Sequence, residues 1–152
     1  MKVLDFLDQK AICMDLKGLS KKDAVNELCQ LLHSDAKIGD ANKVLDALME
    51  REKLGTTGIG QGVAIPHGKS DATSDLVAAL GISKKGVEFE ALDGEPVHVI
   101  FLLVAPPDSG GQHLKALARV SRLLKDKFFR QALKDAKSVD EIQKIITEED
   151  EY

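Results

Sequence analysis

Cysteine is scarce in this sequence, and its scarcity excludes several kinds of site. Cys13 and Cys29 are the only two cysteines among 152 residues, and they form no CxxC pair. Without histidines at suitable spacing, two such residues provide neither a disulfide framework nor a zinc site. We therefore expect two reduced, partly buried thiols in a cytoplasmic protein.

Long apolar runs and charge of one sign are also missing. The longest apolar run, at 97–105, contains His98 and is far shorter than the ~20 residues of a membrane helix. Acidic residues interrupt the apolar N-terminus, which argues against a signal peptide. The net charge is −4 and basic residues alternate with acidic ones, so we expect neither nucleic-acid binding nor membrane insertion.

Several catalytic and cofactor motifs are absent as well. The chain has no GxxxxGK[ST], no GxGxxG between a strand and a helix, and no GxSxG. None of its four histidines stands at i, i+4 or HxH spacing, so we expect no metal and no cofactor. A chain with one plausible nucleophile and no second catalytic pair is better suited to carrying a group than to conventional catalysis.

The composition and the hydrophobic periodicity predict one α/β domain over residues 1–152. Hydrophobic residues make up 43% and charged residues 30%, as in globular proteins. Two helices are expected first, then several strands, then more helices, which indicates a sandwich with a central mixed β-sheet flanked by helices on both faces. The acidic tail at 146–152 is expected to fray.

Individual elements can be placed by their signals. Ser20 resembles an N-cap, and a second helix should end near 53–55. Apolar stretches predict strands at 63–65, 77–83 and 97–105, with a turn at 84–86 after the second of them. Helices should follow from Gln112, the last of them opening on a capping box at 138–141.

The strongest candidate for chemistry is His67, in the segment GIGQGVAIPHGK at 58–69. Pro66 should end the preceding strand and leave His67 on the turn just past it. Gly62 and Gly68 leave room for backbone N–H groups to approach an anion. An imidazole can act there as nucleophile, base or metal ligand. The alternative is a surface histidine in a glycine-rich turn.

Two further residues are candidates for binding an anion. Arg51, near the end of the second helix, carries a guanidinium fork that matches phosphate oxygens. On spacing alone, a solvated cation balanced by its acidic neighbours is the favoured alternative. His113 opens a helix after Ser109, where unpaired N–H groups and the helix dipole attract anions. Its alternative is an ordinary polar residue of the capping region. We assign no function to His98 or His33.

Taken together, these segments resemble a known family. The motifs are REKLGTTGIG at 51–60, GVAIPHG at 62–68, FEALDGEPV at 89–97, the strand end at 101–106 and QHL at 112–114. The chain resembles enzyme IIA of the bacterial phosphoenolpyruvate-dependent phosphotransferase system. Its type is that of fructose and mannitol, a group that includes the nitrogen-regulatory IIA proteins.

The resemblance implies a fold and a set of roles. The fold is a mixed β-sheet flanked by helices. His67 would accept a phosphoryl group from the phosphohistidine of the carrier HPr, forming a tele-phosphohistidine, and pass it to a IIB component. His113 and Arg51 would stabilise the phosphate, and Thr57 would help to line its site. Partners would dock on an exposed apolar patch around His67, with residues 58–60 as candidates.

The resemblance leaves two functions open. One is a phosphocarrier for sugar uptake of the fructose type, and the other is a regulatory protein whose phosphorylation state controls binding to kinases or transporters. Because no IIB, IIC or HPr-like segment is visible in the sequence, we expect a stand-alone protein. A third interpretation, a homologue that is never phosphorylated, requires an inert His67.

Overall fold

The computed structural model describes residues 1–151 and arranges them as one six-stranded sheet with five helices. A 3-10 turn at Val3–Asp5 precedes the sheet. The strands are β1 (Leu7–Cys13), β2 (Gly58–Gly60), β3 (Val63–Ala64), β4 (His67–Lys69), β5 (Val77–Val87) and β6 (Val97–Ala105). The helices are α1 (Lys21–Ser34), α2 (Ala41–Lys53), α3 (Gly110–Leu124), α4 (Lys127–Asp135) and α5 (Val139–Glu149).

The sheet is mixed, with the order β1-β5-β6-β3-β2, and β4 also pairs with β6. β6 is the central strand, and all of its residues except His98 are buried. It runs antiparallel to β5 and parallel to both β3 and β4. A strand covered on both faces reads as a nearly continuous apolar run, which is why β6 was the clearest strand in the sequence.

Helices cover both faces of the sheet, as predicted. α1 packs on α2, and these helices contact β5 and β4, whereas α3, α4 and α5 contact β6, β5 and β1. Successive residues of a strand point to opposite faces. On β4, a Cβ at Gly68 would stand 3.5 Å from Leu48 of α2, while the neighbouring ring of His67 lies beside that of His113 on α3. β4 therefore lies between the two helical layers.

The predicted helix signals are confirmed. Ser20 caps α1 by accepting a hydrogen bond from the backbone N–H of Asp23, and α2 ends at Lys53. Ser138 caps α5 by accepting from the N–H of Glu141. The carboxylate of Glu141 reaches back to the N–H of Lys137 instead of that of Ser138, so the capping box is displaced by one residue.

The prediction misses three of the six strands, β1, β2 and β4, and misplaces one turn. β1 pairs in parallel with β5, but its register shifts between Leu7 and Ile12, which removes the alternation that marks a half-buried strand. The turn expected at 84–86 is wrong because β5 continues to Val87. Gly86 instead absorbs an irregularity in the strand, with a φ of 94° and its N–H bound to the Ser83 hydroxyl.

The expectation of a frayed tail at 146–152 is wrong for residues 146–150. α5 continues to Glu149, and Ile146 is buried. Asp150 is buried as well, and its carboxylate accepts hydrogen bonds from the N–H of Val3 and from Arg119 of α3. Tyr152, the end of the predicted tail, lies outside the described residues. Within residues 1–151, no helix is both long enough and apolar enough to cross a membrane.

Candidate active site

His67 occupies the first position of β4, not the turn that the sequence predicted. β3 and β4 both pair with β6, and residues 65 and 66 separate them. Pro66 has no N–H for the ladder and so interrupts the strand. Its carbonyl still accepts from Leu103 N at 2.9 Å, which keeps the chain on the edge of β6. Pairing therefore resumes at once, with His67 opposite Leu103.

A single hydrogen bond determines the tautomer of His67. Its Nδ1 lies 2.8 Å from the backbone carbonyl oxygen of Ile65. A carbonyl can only accept, so Nδ1 must carry the proton and donate it. In the neutral ring the lone pair then belongs to Nε2, on the far side of the imidazole. The half-buried ring of His67 thus offers one fixed donor and one available nucleophilic nitrogen.

The structure brings His113 next to His67. Their ring centroids are 5.6 Å apart and the rings are tilted by 48°. His113 is only 6% exposed, and its Nδ1 has no hydrogen-bond partner among residues 1–151. Burial lowers the pKa of His113, and the charges of His67 and Lys69 lower it further. An unpartnered polar atom in a buried place is costly unless a ligand satisfies it.

The N-terminus of α3 lies beside these rings and is uncapped by a side chain. Ser109 at the N-cap makes no capping bond, because its hydroxyl donates to the carbonyl of Pro106. Gly110 and Gly111 follow, and no atom lies within 4 Å of where a Cβ would stand on either. The first-turn N–H groups of α3 lie at the positive end of the helix dipole and have open space around them. Such an environment is suited to an anion.

Lys69 adds a positive charge that the sequence analysis missed. It lies two residues after His67 on β4, so its side chain leaves the sheet on the same face. Its ammonium is exposed, yet its charge contributes to the lowered pKa of His113. The alternation of a strand could have identified it, had the sequence shown that His67 lies on a strand.

Arg51 lies in the last turn of α2, the helix that packs on β4. Its Nη1 donates to the carbonyl of Gly55 at 2.9 Å. The two acidic neighbours that could have neutralised Arg51 form ion pairs with other residues. Glu50 pairs with Lys53, and Glu52 pairs with Lys21. Among the described residues, no carboxylate forms an ion pair with Arg51. Most of its guanidinium fork is therefore available for an anion.

The role expected for Thr57 is not the one the structure assigns. Thr57 is 4% exposed, and its hydroxyl donates to the Glu52 carboxylate. The backbone N–H of Thr57 donates to the same carboxylate at 3.1 Å. Thr57 thus holds the segment after α2 in place and does not present its hydroxyl to a phosphate. Glu52 itself was missed, because acidic residues beside basic ones on a helix are usually solvated.

The remaining two histidines lie on other elements, His98 on β6 and His33 on α1. His98 lies on the central strand, and its Nδ1 is 2.8 Å from the Ser83 carbonyl. His33 is in the last turn of α1, where a cation suits the helix dipole. Within residues 1–151, no three histidine, cysteine or acidic side chains form a group that could hold a metal ion.

The amino-acid sequence is similar to a known family and to several known proteins. Residues 5–149 match the family described as "Phosphoenolpyruvate-dependent sugar phosphotransferase system, EIIA 2". A nitrogen regulatory protein of Bradyrhizobium diazoefficiens is 38% identical over 96% of this chain and 95% of its own length. The fructose-specific EIIABC component of Bacillus subtilis is 35% identical over 99% of this chain. The chain spans 24% of the length of that Bacillus protein.

Solved structures of IIA proteins have the same fold as this chain. The nitrogen regulatory protein IIA-Ntr of Neisseria meningitidis superposes with a TM-score of 0.86 at 34% identity, over 93% of this chain and 97% of that one. The mannitol IIA of Escherichia coli, solved in complex with phosphorylated mannitol IIB, shares the fold at 20% identity with a TM-score of 0.78, over 91% and 95% of the two chains. The family match covers nearly all of the sequence, and the chain belongs to the type 2 EIIA family of the phosphoenolpyruvate-dependent sugar phosphotransferase system.

Proposed function

We propose that this protein is a phosphocarrier that accepts a phosphoryl group on Nε2 of His67 from phospho-HPr and passes it to a IIB component. The observation that carries the proposal is the hydrogen bond from His67 Nδ1 to the Ile65 carbonyl. That bond leaves the lone pair on Nε2, beside a buried, unpartnered histidine and an uncapped helix N-terminus. A nucleophile next to an anion site is the arrangement that phosphoryl transfer needs.

The reaction needs little beyond positioning. The Nε2 lone pair forms a bond to phosphorus while the bond from phosphorus to the donor imidazole breaks, and the electron pair returns to the donor nitrogen. The proton on Nδ1 stays in place, held by Ile65. In the second transfer, a nucleophile of the IIB component forms a bond to phosphorus while the N–P bond of His67 breaks, and the electron pair of that bond returns to Nε2. In the first transfer the bond made and the bond broken are both N–P bonds, and in both transfers the barrier is lowered chiefly by alignment and charge stabilisation.

The anion would be stabilised from three sides. First-turn N–H groups of α3 supply partial positive charge, Arg51 supplies the free part of its guanidinium, and His113 supplies an imidazole N–H. Burial lowers the pKa of His113 and so favours the neutral ring, which can donate a hydrogen bond from one nitrogen.

Docking of the carriers is assigned to exposed apolar residues near these elements. Ile59 on β2 is 48% exposed, and Leu114, directly after His113, is 65% exposed. Large apolar side chains that are exposed to water can pack against a partner protein. A small contact area allows the two proteins to separate after each transfer. The candidate segment 58–60 thus supplies one anchor and α3 supplies the other.

A second candidate function uses the same histidine. This chain is similar to the IIA-Ntr of Neisseria meningitidis and to the Bradyrhizobium nitrogen regulatory protein over nearly the whole length of each protein. This similarity favours a regulatory protein whose phosphorylation controls binding to kinases or transporters. Similarity to the fructose component of Bacillus subtilis favours sugar uptake. The fructose-type phosphocarrier transfers the group onward to a IIB, whereas the regulator retains it as a signal.

Intact-protein mass spectrometry tests the shared step. The protein is incubated with phosphoenolpyruvate, enzyme I and HPr, and we expect the mass of one acid-labile phosphoryl group to be added. His67→Ala should abolish the addition, whereas the matched control His33→Ala, which removes an exposed histidine at the end of α1, should retain it. Phosphorylation of His67→Ala would contradict the proposal. Loss of the group upon addition of a fructose-type IIB then identifies the sugar carrier.

A further inference from the structure

Glu52 forms a buried charge cluster directly behind the candidate site. Its side chain is 3% exposed, and Lys21 Nζ lies 3.1 Å from its Oε1. The same oxygen accepts from the backbone N–H of Thr57, and Oε2 accepts from the Thr57 hydroxyl. Three donors on one carboxylate leave it fully satisfied, which is the condition under which a buried ion pair is tolerated.

Lys21 is an unusual residue for its position. It is the first residue of α1, where the positive end of the helix dipole disfavours a cation. Its side chain is only 12% exposed, and its ammonium lies 5.1 Å from the ring centroid of Phe89. An exposed acid or a neutral residue would serve the helix better. Lys21 Nζ also lies 3.8 Å from Oε1 of the exposed Glu90, but its contact with the buried Glu52 is the shorter of the two and accounts better for Lys21 than helix stability does.

Backbone hydrogen bonds connect this cluster to the nucleophile. The carbonyl of Thr57 accepts from Ile65 N at 3.0 Å, and the carbonyl of Ile65 accepts from His67 Nδ1 at 2.8 Å. The path from Glu52 to the imidazole thus consists of Thr57 and Ile65 alone. Any displacement of residue 57 moves residue 65, whose carbonyl selects the tautomer of His67.

The same segment also holds the guanidinium. Arg51 precedes Glu52 on α2, and its Nη1 donates to the Gly55 carbonyl. Gly55 lies between the end of α2 and Thr57, in the segment that the Glu52 carboxylate anchors. Gly55 has a φ of 152° and no side chain that could restrain this conformation. No neighbouring atom lies within 4 Å of the point where a Cβ would stand. The anchoring of the segment therefore comes from Thr57.

We propose that Glu52, paired with Lys21, is a positioning residue for phosphoryl transfer: through Thr57 it aligns His67 and Arg51. The proposal rests on His67 being the phosphoryl acceptor, as proposed above. Glu52 is buried and its carboxylate is engaged by Lys21 and Thr57, so we expect it to contact neither the phosphate nor a partner protein. Its loss should therefore change the rate within the complex and leave the formation of the complex unaltered.

Transfer kinetics provide the first test. For Glu52→Ala, we expect the rate of phosphorylation at saturating phospho-HPr to fall about 100-fold, since displacements of about 1 Å have that effect. The HPr concentration at half-saturation should change less than about threefold. Glu52→Gln should recover most of the rate, because its amide oxygen can accept from Thr57 N and its amide N–H can donate to the Thr57 hydroxyl.

The matched control is Glu50→Ala, two residues earlier on α2. Glu50 forms an ion pair with Lys53, and both side chains are about 70% exposed. Its removal changes the charge of the helix by the same amount without reaching the segment at 55–57. We expect Glu50→Ala to retain the rate of the unmodified protein. An equal loss in both variants would overturn the proposal.

Nitrogen NMR of the unphosphorylated protein provides a readout that does not depend on transfer. At about pH 8, long-range ¹H–¹⁵N spectra should show His67 protonated on Nδ1 in the unmodified protein and in Glu50→Ala. In Glu52→Ala, the Nε2-protonated tautomer should gain population. If Glu52→Ala does not fold, Thr57→Val, which replaces the hydroxyl by a methyl group and leaves the backbone N–H, serves in its place, with a smaller tautomer shift and a rate loss of about tenfold.

The two readouts separate the two proposals. An unmodified protein that HPr cannot phosphorylate contradicts the proposed function, while a tautomer shift in Glu52→Ala would still support the connection from Glu52 to His67. Normal phosphorylation together with an unchanged tautomer and an unchanged saturating rate in folded Glu52→Ala overturns the positioning role alone.

Discussion

At the scale of single residues, the two histidines of the site differ in what surrounds their rings. His67 is half-buried and donates from Nδ1 to a backbone carbonyl, whereas His113 is almost fully buried and its Nδ1 finds no partner within residues 1–151. A hydrogen bond therefore orients the first ring, whereas the second ring is left with an unused polar atom. This difference in environment matches the roles of nucleophile and anion ligand proposed for them.

The lowered pKa of His113 predicts a pH dependence of stability. Burial and the nearby charges of His67 and Lys69 disfavour protonation in the folded protein. The unfolded chain, in which the pKa of a histidine is near its ordinary value of 6.5, takes up the proton first as the pH falls. Stability should therefore rise with pH below about 6.5, through the window between the folded and unfolded pKa values, and level off above it.

Denaturant unfolding measured from acidic pH up to about pH 8 checks this prediction. In His113→Gln, which cannot take up the proton, the rise of the free energy of unfolding with pH should be smaller. Comparison of the two proteins at about pH 8, where His113 is neutral whether folded or not, subtracts the packing change caused by the substitution. Equal slopes in the two proteins would show that His113 is protonated alike in both states.

At the scale of elements, the residue that follows the C-cap of α1 has a backbone conformation that its residue type disfavours. Ala36 follows the C-cap with a φ of 57°, in the left-handed region that favours glycine. The N–H of Ala36 donates to the carbonyl of His33 and that of Lys37 to the carbonyl of Leu32, as in a helix that closes on a left-handed residue. An alanine there has a Cβ that crowds the following carbonyl.

Ala36→Gly should therefore stabilise the protein, by about 1 kcal/mol, although a glycine also makes the unfolded chain more flexible. Thermal or denaturant unfolding measures the change. Ser34→Gly, two residues earlier and inside α1, is the matched control and should instead lower the free energy of unfolding by roughly 0.5 kcal/mol. A loss of stability in both variants would show that the left-handed conformation at residue 36 carries no strain.

At the scale of the whole molecule, Asp150 ties the two ends of the described chain to the helix that carries His113. Its carboxylate accepts from Val3 N at 2.6 Å and from Arg119 Nε at 2.6 Å, and its backbone carbonyl accepts from Lys2 Nζ. The side chain of Asp150 is 4% exposed. One buried carboxylate thus joins the N-terminal turn, the end of α5 and the middle of α3.

Asp150→Ala should lower the free energy of unfolding by about 3 kcal/mol, because it leaves the Arg119 guanidinium and the Val3 N–H poorly paired in a buried place. Equilibrium denaturation measures the loss. Glu148→Ala removes an exposed acid two residues earlier and should stay within about 0.5 kcal/mol of the unmodified protein. A small effect of Asp150→Ala would mean that water replaces the carboxylate at both partners.

Local signals explain which parts of the fold were predictable. The caps at Ser20 and Ser138 and the apolar run of β6 are encoded by neighbouring residues, and the structure confirms them. β1 was not predictable in this way, since its register shift breaks the alternation. Asp150 was taken for part of a frayed tail because its partners, Val3 and Arg119, are distant in sequence.

Long motifs around Arg51, His67 and His113 were sufficient to predict the family from the amino-acid sequence, and hydrophobic periodicity was sufficient to predict the mixed α/β architecture. Three features could be seen only in the folded protein: the tautomer of His67, the proximity of His113 to it and the pairing of Glu52 with Lys21. Periodicity and caps depend on neighbours a few residues away. Hydrogen bonds, burial and charge pairing instead join residues from separate elements, and they exist only once the sheet has brought those elements together.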